Sequence, residues 1–127
     1  NGSVWPHDNS LILLGLSKLG KRHEAKTVIQ GLTEAANYFE YDRLPELFCG
    51  YGSSAWKPVR YPVACSPQAW AAGTPLVFIQ ALLGLFPNAL EKKIYLSPML
   101  LDTMNMLRVE NISIGGGRLS LTVMREK

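Results

Sequence analysis

The sequence predicts an α+β fold in which the helices come first and the strands last. The first part of the chain carries apolar residues at helical spacing, and the final part alternates apolar with polar residues around consecutive glycines. Between two of the helical segments lies a long stretch rich in proline, glycine and serine. The simplest arrangement packs the terminal strands against the outside of the helices.

Length and composition bound the possible classes of protein. A chain of 127 residues has the size of one small domain with a real core. An apolar fraction of 47% argues against disorder, and a net charge of +3 without a basic cluster argues against nucleic-acid binding. The chain starts at Asn1 and not at Met, so we expect a piece cut from a longer polypeptide.

The first two helical segments differ in their apolar pattern. Residues 1–9 predict a turn, and a polar side chain at 8–10 can cap the helix that follows. Residues 11–19 are apolar on nearly every side, which predicts a buried helix that ends at Gly20. Residues 23–39 carry a single apolar stripe, which predicts an amphipathic surface helix. Together the two segments predict an αα-hairpin.

The long stretch at residues 43–68 is the feature around which the sequence is organised. It contains many turn-forming residues, several aromatic residues, two arginines and a single carboxylate, Glu46. A structureless connection of this length is unusual in a compact domain unless it binds a ligand or performs chemistry. Aromatic faces, guanidinium groups and one acid, without a basic run or a metal cluster, indicate a sugar site.

A third helix is predicted after this stretch. Ser66 can cap it and Pro67 can occupy its first position. Residues 69–86 follow without a charge until Pro87 stops the segment. A membrane span is the alternative, because the length reaches the lower limit for one. The internal glycine and proline would kink such a span, so a helix buried among other helices is favoured.

The tail of the chain predicts strands. Residues 94–96 form a short strand candidate. Residues 107–114 and 118–125 predict a β-hairpin with a glycine turn at 115–117. Residues 97–106 are assigned to no element.

The cysteines and histidines predict no cofactor and no metal. Cys49 and Cys65 lack the spacing of a zinc knuckle or a redox dithiol, and His7 and His23 are not placed to complete a metal site. Two free thiols in a reducing compartment are favoured over a bridge, which would need an oxidising one. Nothing resembles a signal peptide, so we expect a cytoplasmic protein.

Glu46 is the candidate acid because of its neighbours. It lies among leucines, a proline and a phenylalanine, where partial loss of water favours the neutral form of a carboxyl group. An acid placed in this way can take a proton from water or give one to a leaving group. The alternative is an acid satisfied by backbone amides or by Arg43.

Other residues near the loop leave two interpretations open. Asp8 can cap a helix or, beside Trp5 and His7, can bind sugar hydroxyls. Trp5, Trp56 and Trp70 can stack on sugar faces or fill core, and core is favoured for Trp70.

Three stretches resemble the last part of bacterial glycogen-debranching-type enzymes, the amylo-α-1,6-glucosidase-like group of six-hairpin glycosidases. They are GSVWPHDNSLI, RLPELFCG and YPVACSPQAWAAG, and the similarity extends over residues 2–86. The resemblance implies αα-hairpin helices from the end of an (α/α)₆ toroid, in which buried inner helices alternate with amphipathic outer ones. It therefore predicts a helical toroid part at residues 1–88 and a β-rich tail, packed on the helices, at residues 89–127.

The resemblance also implies a function. The full-length protein would be a glycoside hydrolase that acts on α-glucans by inverting hydrolysis, with Glu46 as the general base. Inverting glycosidases need two carboxyl groups about 6.5–9.5 Å apart. In the family the general acid lies on an earlier hairpin, outside this chain, so the isolated chain is expected to be inactive or nearly so. The implied substrate-binding residues are Trp5, His7, Asp8, Gln68 and Trp70.

The expected partners are an α-glucan or oligosaccharide and the remaining N-terminal part of the parent enzyme, without nucleic acid or membrane. Uncovered inner helix faces also predict self-association or exposed hydrophobic patches. Two other function classes remain open. One is a non-catalytic carbohydrate-binding or regulatory module, and the other is a helical interaction or membrane-associated domain organised by residues 69–86.

Overall fold

The computed structural model describes residues 2–52 and 57–126. Across these ranges, three α-helices and three small antiparallel sheets form a small α+β fold. The chain divides into two compact units, Asn1–Phe78 and Ile79–Lys127.

The first unit opens with strand β1 (Ser3–Val4) and helix α1 (Pro6–Lys18). Proline suits the first helical position because its fixed φ is helical and its missing N–H would be unpaired there anyway. Helix α1 therefore begins earlier than predicted, within the residues 1–9 that were expected to form a turn. Its end at Gly20 is confirmed: φ is +69° there, and the Gly20 N–H donates to the Ser17 carbonyl at 3.1 Å.

Helix α1 is buried on one side only, so the prediction of an all-round buried helix is wrong. Leu13 has no exposed surface, whereas Leu11, Ile12 and Leu19 are 54% to 76% exposed. A helix that is apolar on every side can be fully buried only if other parts of the protein pack against each side, and the helix sequence does not determine whether they do.

Helix α2 (Arg22–Ala36) confirms the predicted amphipathic helix, although it ends earlier than residue 39. Its apolar stripe packs toward α1, and together they form the predicted αα-hairpin. The buried side chains of the stripe are Ala25, Ile29, Leu32 and Ala35.

The long stretch after α2 contains two short strands, β2 (Phe48–Cys49) and β3 (Val59–Arg60). They join β1 in an antiparallel sheet of order β1-β2-β3, with Phe48 opposite both Val4 and Arg60. This sheet was not predicted, because strands of two residues are too short to show alternation.

Helix α3 (Ala69–Leu83) begins after the predicted start at Ser66 and Pro67. Its first backbone bond runs from the Ala72 N–H to the Gln68 carbonyl at 3.0 Å, so Gln68 is the residue before the helix. Gly84, with φ +55°, ends it, before Pro87 can do so. At 15 residues α3 is shorter than a membrane span, and no described helix is long and apolar enough to be one.

The second unit contains two β-hairpins. Strands β4 (Phe86–Asn88) and β5 (Lys93–Tyr95) pair with each other, as do β6 (Met106–Ile114) and β7 (Gly117–Met124). The predicted terminal hairpin and the predicted short strand near 94–96 are confirmed, while β4 was expected to lie at the end of a helix. The unassigned segment supplies core residues: Met99, Leu100 and Leu101 are buried, and the Met99 N–H donates to the Leu82 carbonyl at 2.8 Å.

The predicted architecture, the C-terminal part of an (α/α)₆ toroid followed by one β-hairpin, is wrong. In the described residues the strands lie before, between and after the helices and form three sheets. A toroid repeats helical hairpins with buried inner helices, whereas α1 exposes much of its apolar surface. The short strands arise in proline-rich and glycine-rich segments that carry no helical or strand periodicity.

Gly84 provides a test of the helix end. A β-carbon at this position would overlap the Ser97 backbone, and the positive φ is unfavourable for any other L-residue. We predict that Gly84→Ala lowers the free energy of unfolding by about 2 kcal/mol or more. The matched control is Gly73→Ala within α3, where an added β-carbon meets nothing within 4 Å. That variant should raise stability by up to about 1 kcal/mol. Urea denaturation followed by circular dichroism measures both, and equal effects would contradict the assignment.

Candidate functional site

Two hydrogen bonds join Glu46 to Cys65. The backbone N–H of Glu46 donates to the Cys65 carbonyl oxygen at 3.0 Å. In return, the backbone N–H of Cys65 donates to carboxylate Oε2 of Glu46 at 3.1 Å. The side chain is partly buried, while Pro45 and Leu47 on either side are buried. The loop therefore holds one carboxylate oxygen in a fixed direction.

Apolar packing anchors the backbone around this acid. Leu44, Leu47 and Phe48 are each less than a tenth exposed, and the ring of Phe48 lies 5.7 Å from that of Phe39. Arg43, the alternative partner considered for Glu46, instead stacks its guanidinium over the Tyr41 ring at 5.2 Å. The carboxylate is thus positioned by the core and by a backbone amide.

The first motif segment meets the second through the three-stranded sheet. The Gly50 N–H donates to the Gly2 carbonyl at 2.8 Å, and a β-carbon at position 50 would come within 2.6 Å of that oxygen. This close approach explains the glycine. Since β1 and β2 are antiparallel, with Val4 opposite Phe48, the chain leaves the sheet toward Trp5 at the same end from which it arrives from Glu46.

The first motif segment also meets the third. His7, in the first turn of α1, lies with its ring centroid 6.0 Å from that of Trp70, in the first turn of α3. The planes are tilted by 35°. With the Glu46–Cys65 pair joining the second and third segments, all three motif segments are linked pairwise. Of the predicted site residues, these contacts bring His7 and Trp70 together.

The individual residues take different positions within this group. Trp5 and His7 are partly buried. Asp8 is exposed and lies in the first turn of α1, whereas Trp5 occupies the N-cap position. Gln68 uses its side-chain carbonyl to accept the Ala69 N–H at 3.0 Å. Trp70 is 50% exposed, so the expectation that it fills core is wrong. Trp56 lies outside the described residues.

Two cavities in the first unit are lined partly by residues of these segments. One, of about 320 Å³, is lined by residues on either side of the linked pair, among them Leu47 and Ser66, but not by Glu46 or Cys65. The other, of about 540 Å³, has Tyr38 and Tyr51 among its lining residues. None of the five predicted substrate-binding residues lines either cavity. Tyr38 was not predicted as a site residue, because it follows an amphipathic helix and carries no signal of a site.

Metal-binding and thiol groups are sparse in the described ranges. No three His, Cys, Asp or Glu side chains of residues 2–52 and 57–126 come together in a way that would hold a metal ion. Cys49 and Cys65 are free thiols.

The chain has no significant match among protein-family models or among curated proteins.

A separate polar group lies on the hairpin of β4 and β5. The Tyr95 hydroxyl donates to Glu91 Oε2 at 2.6 Å, and the Lys93 ammonium lies 3.3 Å from the same oxygen. The Tyr95 hydrogen bond, followed by the contact with Lys93, lowers the pKa of Glu91. The same Glu91 carboxylate raises the pKa of Tyr95. All three side chains are exposed, so these contacts affect the titration of Glu91 and Tyr95 but add nothing to the hydrophobic core.

The Glu46–Cys65 link predicts a specific hydrogen-exchange pattern. Glu46→Ala removes the acceptor of the Cys65 amide, so this amide should exchange roughly fivefold faster, as the loss of about 1 kcal/mol implies. Glu46→Gln retains an oxygen acceptor and should exchange nearly as the wild type does. Glu24→Ala, at an exposed acid of α2, is the control for a general effect. Unchanged exchange at Cys65 in Glu46→Ala would contradict the link.

The hairpin group predicts a shift in titration. Tyr95→Phe removes the main hydrogen bond to Glu91, so the pKa of Glu91 should rise toward its ordinary value. Lys93→Met should raise this pKa by less. Because folding lowers the pKa of Glu91, its stabilising contribution is present above the unfolded-state pKa and disappears as pH falls through the folded-state value. NMR titration of the Glu91 carboxyl measures the pKa, and an unchanged value in Tyr95→Phe would refute the assignment.

Proposed function

We propose that this chain supplies the general base of an inverting glycoside hydrolase that acts on α-glucans, and that Glu46 is the base. The observation that carries this proposal is the hydrogen bond from the Cys65 amide to Oε2. Within the described residues, Oε1 accepts no hydrogen bond, and the partly exposed side chain remains open to water. One oxygen is thus fixed, and no described residue donates a hydrogen bond to the other.

In such a reaction, Glu46 removes a proton from a water molecule, which attacks the anomeric carbon on the face opposite the leaving group. A second carboxyl group, acting as general acid, protonates the departing glycosidic oxygen. We place this acid outside the chain, in the remaining part of the parent enzyme. Support for the role of Glu46 comes from its local geometry and from the motif resemblance.

The proposed sugar contacts come from the loops around Glu46. The half-exposed indole of Trp70 offers a ring face on which a sugar can stack, and His7 packs beside it. Asp8 is exposed next to His7 and provides carboxylate oxygens for sugar hydroxyls. Trp5 and Gln68 complete the proposed set, because they lie in the same linked segments.

Uncovered helix surfaces support a protein partner in addition to the sugar. Four apolar side chains on or just after α1 and on α3 are more than half exposed: Leu11, Ile12, Leu19 and Leu76. We propose that the part of the parent enzyme that carries the general acid covers them, with self-association as the competing outcome. The two free thiols support a reducing, cytoplasmic compartment.

A non-catalytic carbohydrate-binding module is the second candidate. One specific observation favours it: the Cys65 amide that orients Glu46 also gives this acid a sufficient structural role in closing the loop. In that case Glu46 would hold the loop together and would exchange no proton with substrate. The two candidates differ in what happens when the carboxylate becomes an amide.

The decisive variant is Glu46→Gln in the full-length protein. Glutamine can still accept the Cys65 N–H but cannot act as a base, so kcat should fall by roughly 10²–10⁴-fold while the Kd for a maltooligosaccharide stays the same. The control is Glu24→Gln, which should leave kcat unchanged. Release of reducing ends from a branched α-glucan measures turnover. An unchanged kcat in Glu46→Gln would remove the base and favour the binding module.

The placement of the general acid has its own test. The isolated 127-residue chain should release no reducing ends from the same glucan, because only one of the two carboxyl groups is present. Turnover by the isolated chain would show that the acid lies within it.

A further inference from the structure

The cavity of about 540 Å³ in the first unit has the features of a second ligand site. It lies between the end of α2 and strands β1 and β2, with Phe48 buried at its floor. Tyr38 and Tyr51 line it with 48% and 70% of their surfaces exposed. We refer to it as the tyrosine cavity. Its volume is within the usual range for pockets that hold small molecules.

The polar lining of the tyrosine cavity carries balanced charge. Glu34 from α2 provides a carboxylate, Lys57 provides an ammonium group, and Asn37 provides an amide. An anion would meet the carboxylate and a cation would meet the ammonium group, so neither charged class is favoured. A negative side chain, a positive side chain and a neutral amide together suit a neutral ligand that has many hydroxyl donors and acceptors.

The apolar lining narrows the ligand class further. Exposed tyrosine rings offer flat, electron-rich faces, against which the C–H face of a sugar ring can pack while its hydroxyls reach the polar rim. Val4 and Phe48 add an apolar floor from the two paired strands. Aromatic walls, an apolar floor and a few polar groups are typical of small-molecule pockets, and these groups match the chemistry of a neutral polyhydroxylated ring.

We propose that the tyrosine cavity binds a neutral saccharide at a position separate from the Glu46 site. This inference rests on the proposed glycosidase function only for the choice of an α-linked glucose oligomer as ligand. A second site of this kind would hold a neighbouring part of the same polymer and raise its local concentration at Glu46.

Titration of the isotope-labelled chain with maltotriose, followed by amide chemical shifts in two-dimensional NMR, tests this site. We expect saturable shifts at the amides of Tyr38, Tyr51 and Lys57, with a Kd of about 1 mM. Tyr51→Ala should weaken this binding roughly five- to tenfold, because it removes one stacking face. The control is Tyr41→Ala, which alters a tyrosine that is 76% exposed and lines neither cavity of the first unit, and it should leave the Kd unchanged.

Glu46→Gln separates this inference from the proposed function. The variant should bind maltotriose at the tyrosine cavity as the wild type does, whatever its effect on turnover. If the wild type shows no saturable shifts at these amides up to about 10 mM, or if the shifts map only to residues around Glu46, the tyrosine cavity is not a saccharide site. If Glu46→Gln leaves turnover intact while the cavity still binds maltotriose, the proposed base is wrong and the second site stands.

Discussion

The pair of hydrogen bonds between Glu46 and Cys65 is the constraint on which the arrangement of the loops depends. It joins two segments of the long connection between α2 and α3, and it does so at the single acid of residues 43–68. The acid has buried apolar neighbours on both sides, which fix its backbone. A carboxylate held in this way combines a fixed direction with access to water, and both properties are required of a general base.

The other two links make this acid part of a larger group. The sheet of β1 and β2 brings the N-terminal segment alongside the Glu46 segment, and the contact between His7 and Trp70 brings the starts of α1 and α3 together. The three motif stretches are therefore neighbours in space although long intervals of sequence separate them. This convergence does not need a helical ring. It arises from two-residue strands, one glycine contact, one ring contact and the Glu46–Cys65 pair, all of which join residues distant in sequence.

The sequence predicted the regular elements better than their surroundings. The one-sided apolar pattern of α2 and the alternation of apolar and polar residues around the glycine turn between β6 and β7 are strong periodic signals. The structure confirms both elements. The strands of the first sheet have two residues each and leave no periodicity, so their pairing depends on tertiary contacts that sequence patterns do not record. The exposure of some apolar side chains was also predicted wrongly. Leu11 and Trp70 are residue types typical of a core, but no neighbouring residues cover them. The toroid that the resemblance implied is absent from the described residues.

The central claim is that Glu46 is fixed by the third motif segment while the first and third segments meet at His7 and Trp70. Nuclear Overhauser effects in the isolated chain test this most directly. We expect one cross-peak between the Glu46 side-chain methylene protons and the Cys65 amide proton, and a second between the His7 and Trp70 ring protons. If both are missing while the helical cross-peaks of α1, α2 and α3 are present, the segments do not converge and Glu46 is an ordinary surface acid.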